Sequence, residues 1–218
     1  MLRGRILSIV QAVRPMSKYA PAFRDPIPSL QRLEELQKTG EGKTLATVPI
    51  KAARSEVSTS PLYDPLLEKF VNFVMRCGKK ELARTQVNKT LETIKRIQVE
   101  KYNSAKTEEE KAAINVDALN ILHQAIENCK PLLQLKPIKR GGATYQVPVS
   151  ITANRAQFMS INWLIEQGKA EPRTQRFYVK MANELISASE GTGRVIKRKQ
   201  ELHKQCEANR AYAHYRWG

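Results

Sequence analysis

Acid–base work, metal binding and phosphate handling each need particular side chains at particular spacings, and this chain offers one candidate for each. Its three histidines, His123, His203 and His214, and its three cysteines, Cys77, Cys129 and Cys206, are scattered, with no CxxC pair. That distribution gives neither a zinc site nor a disulfide framework built from this chain alone. Each cysteine fits an apolar position of its segment, which is the place of a small buried hydrophobe in a reducing compartment. The run TEEEK at 107–111 brings three carboxylates together. However, Thr107 and Glu110 have capping-box spacing, and acids suit a helix's first turn. TGEGKT at 39–44 resembles a phosphate-binding loop, yet that motif needs an earlier glycine where Gln37 stands, and no strong strand precedes it. The sequence therefore predicts no catalytic residue, no metal and no cofactor, and what remains is electrostatics.

Lys and Arg total 37 against 21 Asp and Glu, a formal charge of +16 on 218 residues. Such an excess repels itself in an isolated fold and finds its use against a polyanion, most commonly a phosphate backbone. No apolar run approaches the roughly 20 residues that span a bilayer. No single long amphipathic helix concentrates the charge as a membrane-surface protein would. The length suits one domain plus tails.

The cations are unevenly spread. The stretch 1–24 contains Arg3, Arg5, Arg14, Lys18 and Arg24 and no acid, with Leu2, Ile6, Ile9, Val10 and Val13 at helical spacing. A basic amphipathic helix without acids is the pattern of a mitochondrial presequence, the alternative being a basic arm that stays on the protein. Residues 25–60 read as an extended N-terminal arm with one short helix around Leu30, Leu33 and Leu36.

From residue 61 to 218 the punctuation predicts a helical domain. Asp64-Pro65 starts a helix along Leu67, Phe70, Val74 and Cys77 that Gly78 ends. A second helix runs from about Lys80 to Asn103 on Ala83, Val87, Leu91 and Ile94. Asp117 caps another, with Leu119, Leu122, Ile126 and Cys129 inward and Pro131 beyond. Phe158, Ile161, Leu164 and Ile165 mark a helix ended by Gly168. Phe177, Met181 and Leu185 mark one ended by Gly191, and a last begins near Arg194. The fold class is mainly α, about six helices with one protruding β-hairpin over 132–151. In the hairpin's second strand Tyr145, Val147, Val149 and Ile151 alternate with Thr144, Gln146, Pro148 and Ser150. Gly141-Gly142 supplies the positive φ of a tight turn, and Pro137 and Pro148 require both strands to be edges. Lys139 and Arg140 then lie at the outer end. In residues 194–217, Arg194, Lys197, Arg198 and Lys204 share one side of a helical projection. Val195, Leu202 and Cys206 lie on another. Tyr212, Tyr215 and Trp217 nearby suit stacking on exposed bases, or docking of the tail onto the body.

Several strings in this frame carry a resemblance: LLEKFVNFVM (66–75), GKK (78–80), LET (91–93), GGATYQVPV (141–149), Trp163, ANEL (182–185), EAN (207–209) and AHYRW (213–217). With them residues 61–217 resemble the small-subunit ribosomal protein seven family. SKYAPAFRDP (17–26) and QVEKYNSAKTEEEK (98–111) are similar to its animal mitochondrial branch. The resemblance implies a six-helix body with a protruding ribbon in the mitochondrial matrix, on the small ribosomal subunit. There it would bind the head domain of small-subunit ribosomal RNA, help that head fold, and adjoin other small-subunit ribosomal proteins. The ribbon would line the messenger exit channel beside exit-site transfer RNA.

Carried onto this chain, the resemblance makes Lys79, Lys80, Arg155, Arg194, Lys197, Arg198, Lys204 and Arg210 the ribosomal RNA contacts. Lys139, Arg140, Gly141, Gly142 and Tyr145 become the ribbon tip near transfer RNA or messenger. The chain departs from the bacterial pattern after the ribbon, where Thr152, Ala153 and Asn154 stand for arginines and Asn162 for a basic residue. Fewer phosphate contacts are expected there. The competing reading is an RNA- or DNA-binding regulator outside the ribosome.

Overall fold

In a computed structural model, residues 19–20, 22–53, 58, 60, 63–170 and 174–217 are described. Most of the basic stretch expected to be a presequence lies outside them. Two compact units divide at Pro65/Leu66.

In the first unit α1 (Leu30–Thr39) and α2 (Glu41–Leu45) follow one another across Gly40. The expected single helix is thus two. The TGEGKT stretch that resembled a phosphate loop is helical from Glu41, with the Thr44 hydroxyl donating to Glu41 O at 2.8 Å. The arm also turns back on itself. Arg24 and Ile50 form an isolated bridge, and Lys51 pairs with Asp25 at 3.0 Å. Neither helix buries a residue.

The second unit carries α3 (Pro65–Val74), α4 (Lys80–Ser104), α5 (Glu108–Ala113), α6 (Ala118–Cys129), α7 (Ala153–Lys169), α8 (Phe177–Ser189) and α9 (Arg194–Ala208). Between α6 and α7 stand β1 (Leu133–Arg140) and β2 (Ala143–Ser150), and a 3₁₀ stretch, Arg210–Trp217, follows α9. Phe70, Ile94, Ile121, Leu122, Ile126, Ile161, Leu164, Met181, Leu185 and Val195 are all buried in one core. They come from six helices at the 3.6-residue spacing that puts one stripe of each inward. Local chemistry sets several ends. Thr107 and Glu110 form a full capping box, and the Asp117 carboxylate accepts from Leu119 N at 3.0 Å.

Four expected positions differ. The helix α3 ends at Val74, before Gly78, so Cys77 sits in the α3–α4 corner at φ 51° and is exposed, not buried. Leu119, in α6's first turn, and Phe158 are also exposed, at 36% and 37%, because the inward stripes of α6 and α7 run through Ile121–Leu122 and Ile161–Leu164. Phe158 instead meets Phe73 edge-on, ring centres 5.5 Å apart. Gly168 does not end α7. It is buried inside it, where an added Cβ would stand 2.6 Å from Met181 Cε and 3.1 Å from Phe177 Cε2. It is small because α8 crosses there.

Candidate nucleic-acid interface

The ribbon is antiparallel, pairing Arg140 with Ala143, Lys139 with Thr144 and Ile138 with Tyr145. Gly141 and Gly142 turn it at φ 56° and 85°, values that place both in the left-handed region a two-residue hairpin turn demands. Lys139, Arg140 and both glycines are exposed. Val147 is buried midway along the ribbon while Tyr145, on the same face nearer the tip, is half-buried.

What covers Tyr145 is the tail. Its ring lies 5.1 Å from Tyr212 and 5.2 Å from Tyr215, which stack on each other at 6.0 Å. The Arg140 guanidinium lies over the Tyr215 ring at 5.0 Å. These two tail aromatics therefore dock on the ribbon, not on the helical body, and Tyr212 keeps an exposed side. The Trp217 side chain lies outside what is described. At the ribbon's base, Leu132 N donates to His203 Nε2 at 3.1 Å, tying the first strand to α9. Burial, with a smaller contribution from the Lys199 ammonium, pushes the His203 imidazole below its ordinary range. That suits a ring nitrogen that must stay an acceptor.

On α9, Arg194, Lys197, Arg198 and Lys204 are exposed, while Val195, Ile196 and Cys206 are buried on the other side. The amphipathic helix thus presents a cationic face. Its N-terminus starts at Gly193, which has no side chain to cap it. The carboxylate of Glu184 on α8 does so across the helix pair, its Oε1 accepting from Arg194 N at 3.0 Å and Val195 N at 3.1 Å. A negative oxygen at a helix N-terminus satisfies orphan donors and the dipole together. Sequence reading did not single out Glu184, although a lone acid in the apolar run MANELIS is a visible signal.

The other expected contacts are more dispersed. Arg198 is bound within the protein, its Nη1 2.5 Å from Glu166 Oε2 and its guanidinium 5.1 Å from the Trp163 ring. Arg155 is exposed on α7 and lies 5.0 Å over the Phe158 ring. Lys79 is exposed before α4, whereas Lys80 pairs with Glu68 at 3.2 Å. Arg210 is exposed at the start of the tail. Two cations that sequence reading missed act on one another. Burial first, and then the neighbouring Arg76 charge, lower the Lys169 ammonium from its ordinary value, with Glu166 opposing. A sequence shows no such pairing of α7's end with the α3–α4 corner.

Among the described residues no group of His, Cys, Asp or Glu could hold a metal ion, and no helix is long and apolar enough to cross a membrane. The Cys129 thiol is pushed up to about 12, chiefly by burial. It is a core side chain, not a nucleophile.

A helical body, a cationic last helix and a braced ribbon with a Gly-Gly turn are the frame on which the family match falls. Residues 45–210 match the family described as ribosomal protein S7p/S5e, and the chain belongs to that family. It is 45% identical over 219 residues to small ribosomal subunit protein uS7m of Drosophila melanogaster, covering 99% of each chain. It is 47% identical to uS7m of Danio rerio, covering 92% of this chain and 90% of that one. With uS7m of Caenorhabditis elegans the identity is 36%, over 89% and 87% of the two chains. Membership makes it a ribosomal structural protein and not an enzyme.

Proposed function

We propose that this chain is a structural constituent of the mitochondrial small ribosomal subunit that binds the head domain of its ribosomal RNA. It helps that head fold, touches neighbouring small-subunit proteins, and lays its ribbon beside exit-site transfer RNA and messenger. Residues 1–24 act as the presequence, 25–60 as the arm and 61–218 as the RNA-binding domain. The ribosomal RNA contacts are Lys79, Lys80, Arg155, Arg194, Lys197, Arg198, Lys204 and Arg210. Lys139, Arg140, Gly141, Gly142 and Tyr145 form the ribbon end.

The observation that carries this reading is the exposed cationic face of α9 on a chain of formal charge +16. Ammonium and guanidinium groups held on one rigid helix displace condensed counterions from a phosphate backbone, and the released ions drive binding. With six to ten phosphate contacts, affinity for the head-domain transcript falls roughly 10³–10⁵-fold between about 50 and 200 mM salt. Replacing Lys197 and Lys204 by alanine weakens binding and flattens the salt slope by about 1 for each phosphate no longer neutralised. Unchanged affinity and slope would remove α9 from the interface. Sucrose-gradient sedimentation of mitochondrial lysate tests the ribosomal placement: the protein runs with small subunits, whereas a free regulator stays at the top. Sequencing the mature N-terminus tests the presequence boundary.

A further inference from the structure

We propose that the C-terminal tail is the positioning element of the ribbon, with Tyr212 and Tyr215 acting as a clasp that fixes where Arg140 and Tyr145 stand. A two-stranded ribbon is marginal on its own in water. Of its two strands only Val147, midway along, is buried, and it stands outside the helical core cluster, so the core does little to hold the outer half. At the inner end the His203–Leu132 hydrogen bond fastens the first strand to α9. Beyond it the ring contacts of Tyr145 are with the tail. Tyr212 and Tyr215 approach to 5.1 and 5.2 Å, within the range where tilted and edge-on rings attract beyond the area they bury. The clasp reaches further. Arg140, the last residue of β1, lies over Tyr215 at 5.0 Å, so the guanidinium beside the Gly-Gly turn is held from outside the ribbon.

The tail is itself placed by α9, which it follows directly. Parting the tail from the ribbon would separate Tyr145 from both tail rings and Arg140 from Tyr215 at once. Rings engaged in this way serve to aim the ribbon. The inference concerns the protein by itself and stands apart from what the ribbon touches.

Hydrogen–deuterium exchange on the full chain tests it. With Tyr212 and Tyr215 both replaced by alanine, amides near the turn, Ile138 to Tyr145, exchange about tenfold faster or more. Those of α6 and α8 keep their protection, and the thermal midpoint of the body stays put. The double variant Tyr212→Phe, Tyr215→Phe keeps the rings and restores slow exchange. Ribbon exchange in the alanine variant equal to that of the unaltered chain would overturn the proposal. So would loosening of α6 and α8 in step with the ribbon, because the tail would then be part of the general core.

Discussion

In the body, α6 buries Ile121, Leu122, Ala125, Ile126 and Cys129 and packs against α4, α7, α8 and α9. Along the ribbon, two eight-residue strands bury Val147 alone, and the outer half rests on Tyr145, Arg140 and the tail. One region is secured by the hydrophobic effect, which is roughly proportional to area and tolerant of direction. The other depends on a few contacts with defined geometry at identifiable atoms. The body should therefore suffer most from cavities and far less from the loss of a surface group, a helix cap included. The ribbon should move independently when one contact is changed.

The largest effect that would sharpen this contrast is in the core. Leu164→Ala removes a side chain that is 0% exposed and lowers the denaturation free energy by about 2–5 kcal/mol. A midpoint close to the unaltered protein's would show that the body is not held as described. Next is Gly168→Ala, whose new methyl would press on Met181 Cε at 2.6 Å and Phe177 Cε2 at 3.1 Å. Overfilling of this kind costs about 1–3 kcal/mol. The give of the flexible Met181 end and the helix preference of alanine over glycine bring the net loss to about 1–2 kcal/mol, read in urea unfolding. It should separate α7 from α8 without touching the ribbon.

A smaller loss, about 1 kcal/mol, is expected for Asp117→Ala, which leaves Leu119 N at the start of α6 without its acceptor. The same unfolding measurement checks it. The smallest is local to the ribbon and depends on pH. Because the folded His203 takes up a proton less readily than its ordinary value of 6.5, acid favours the open form. The base contact is complete above that value and is lost as pH falls from it through the lowered folded value. Exchange at the Leu132 amide should accelerate over that window while α8 amides hold. A rate that ignores pH, apart from the intrinsic chemistry of exchange, would remove His203 from the anchor.

The helices and the ribbon were legible in the sequence where residues a few positions apart suffice. The Thr107–Glu110 capping box, the Asp117 cap, the Gly141-Gly142 turn and the Ala83–Val87–Ile94 stripe are such features. Cys77 and Leu119 were misplaced for a related reason. Periodicity gives the stripe but not where a helix frays or how wide its buried arc is. Phe158 has the right spacing for the core, yet its contacts are with Phe73 and Arg155 near the surface. Of the candidate interface, the charge on α9 was readable, since it is a property of composition and helical phase. Its internal neutralisation was not, because Arg198 and Glu166 meet only where α9 crosses α7.

By itself the sequence determined a basic, mainly helical chain with a Gly-Gly ribbon and one cationic last helix. Charge, period and turn chemistry are all set within a few bonds of each residue. Only the tertiary structure decided that Glu184 caps a helix ten residues further on, that Gly168 yields to Met181, and that the tail's tyrosines clasp the ribbon. Those pairings are fixed by where helices cross and how far side chains reach, and no local pattern encodes such distances.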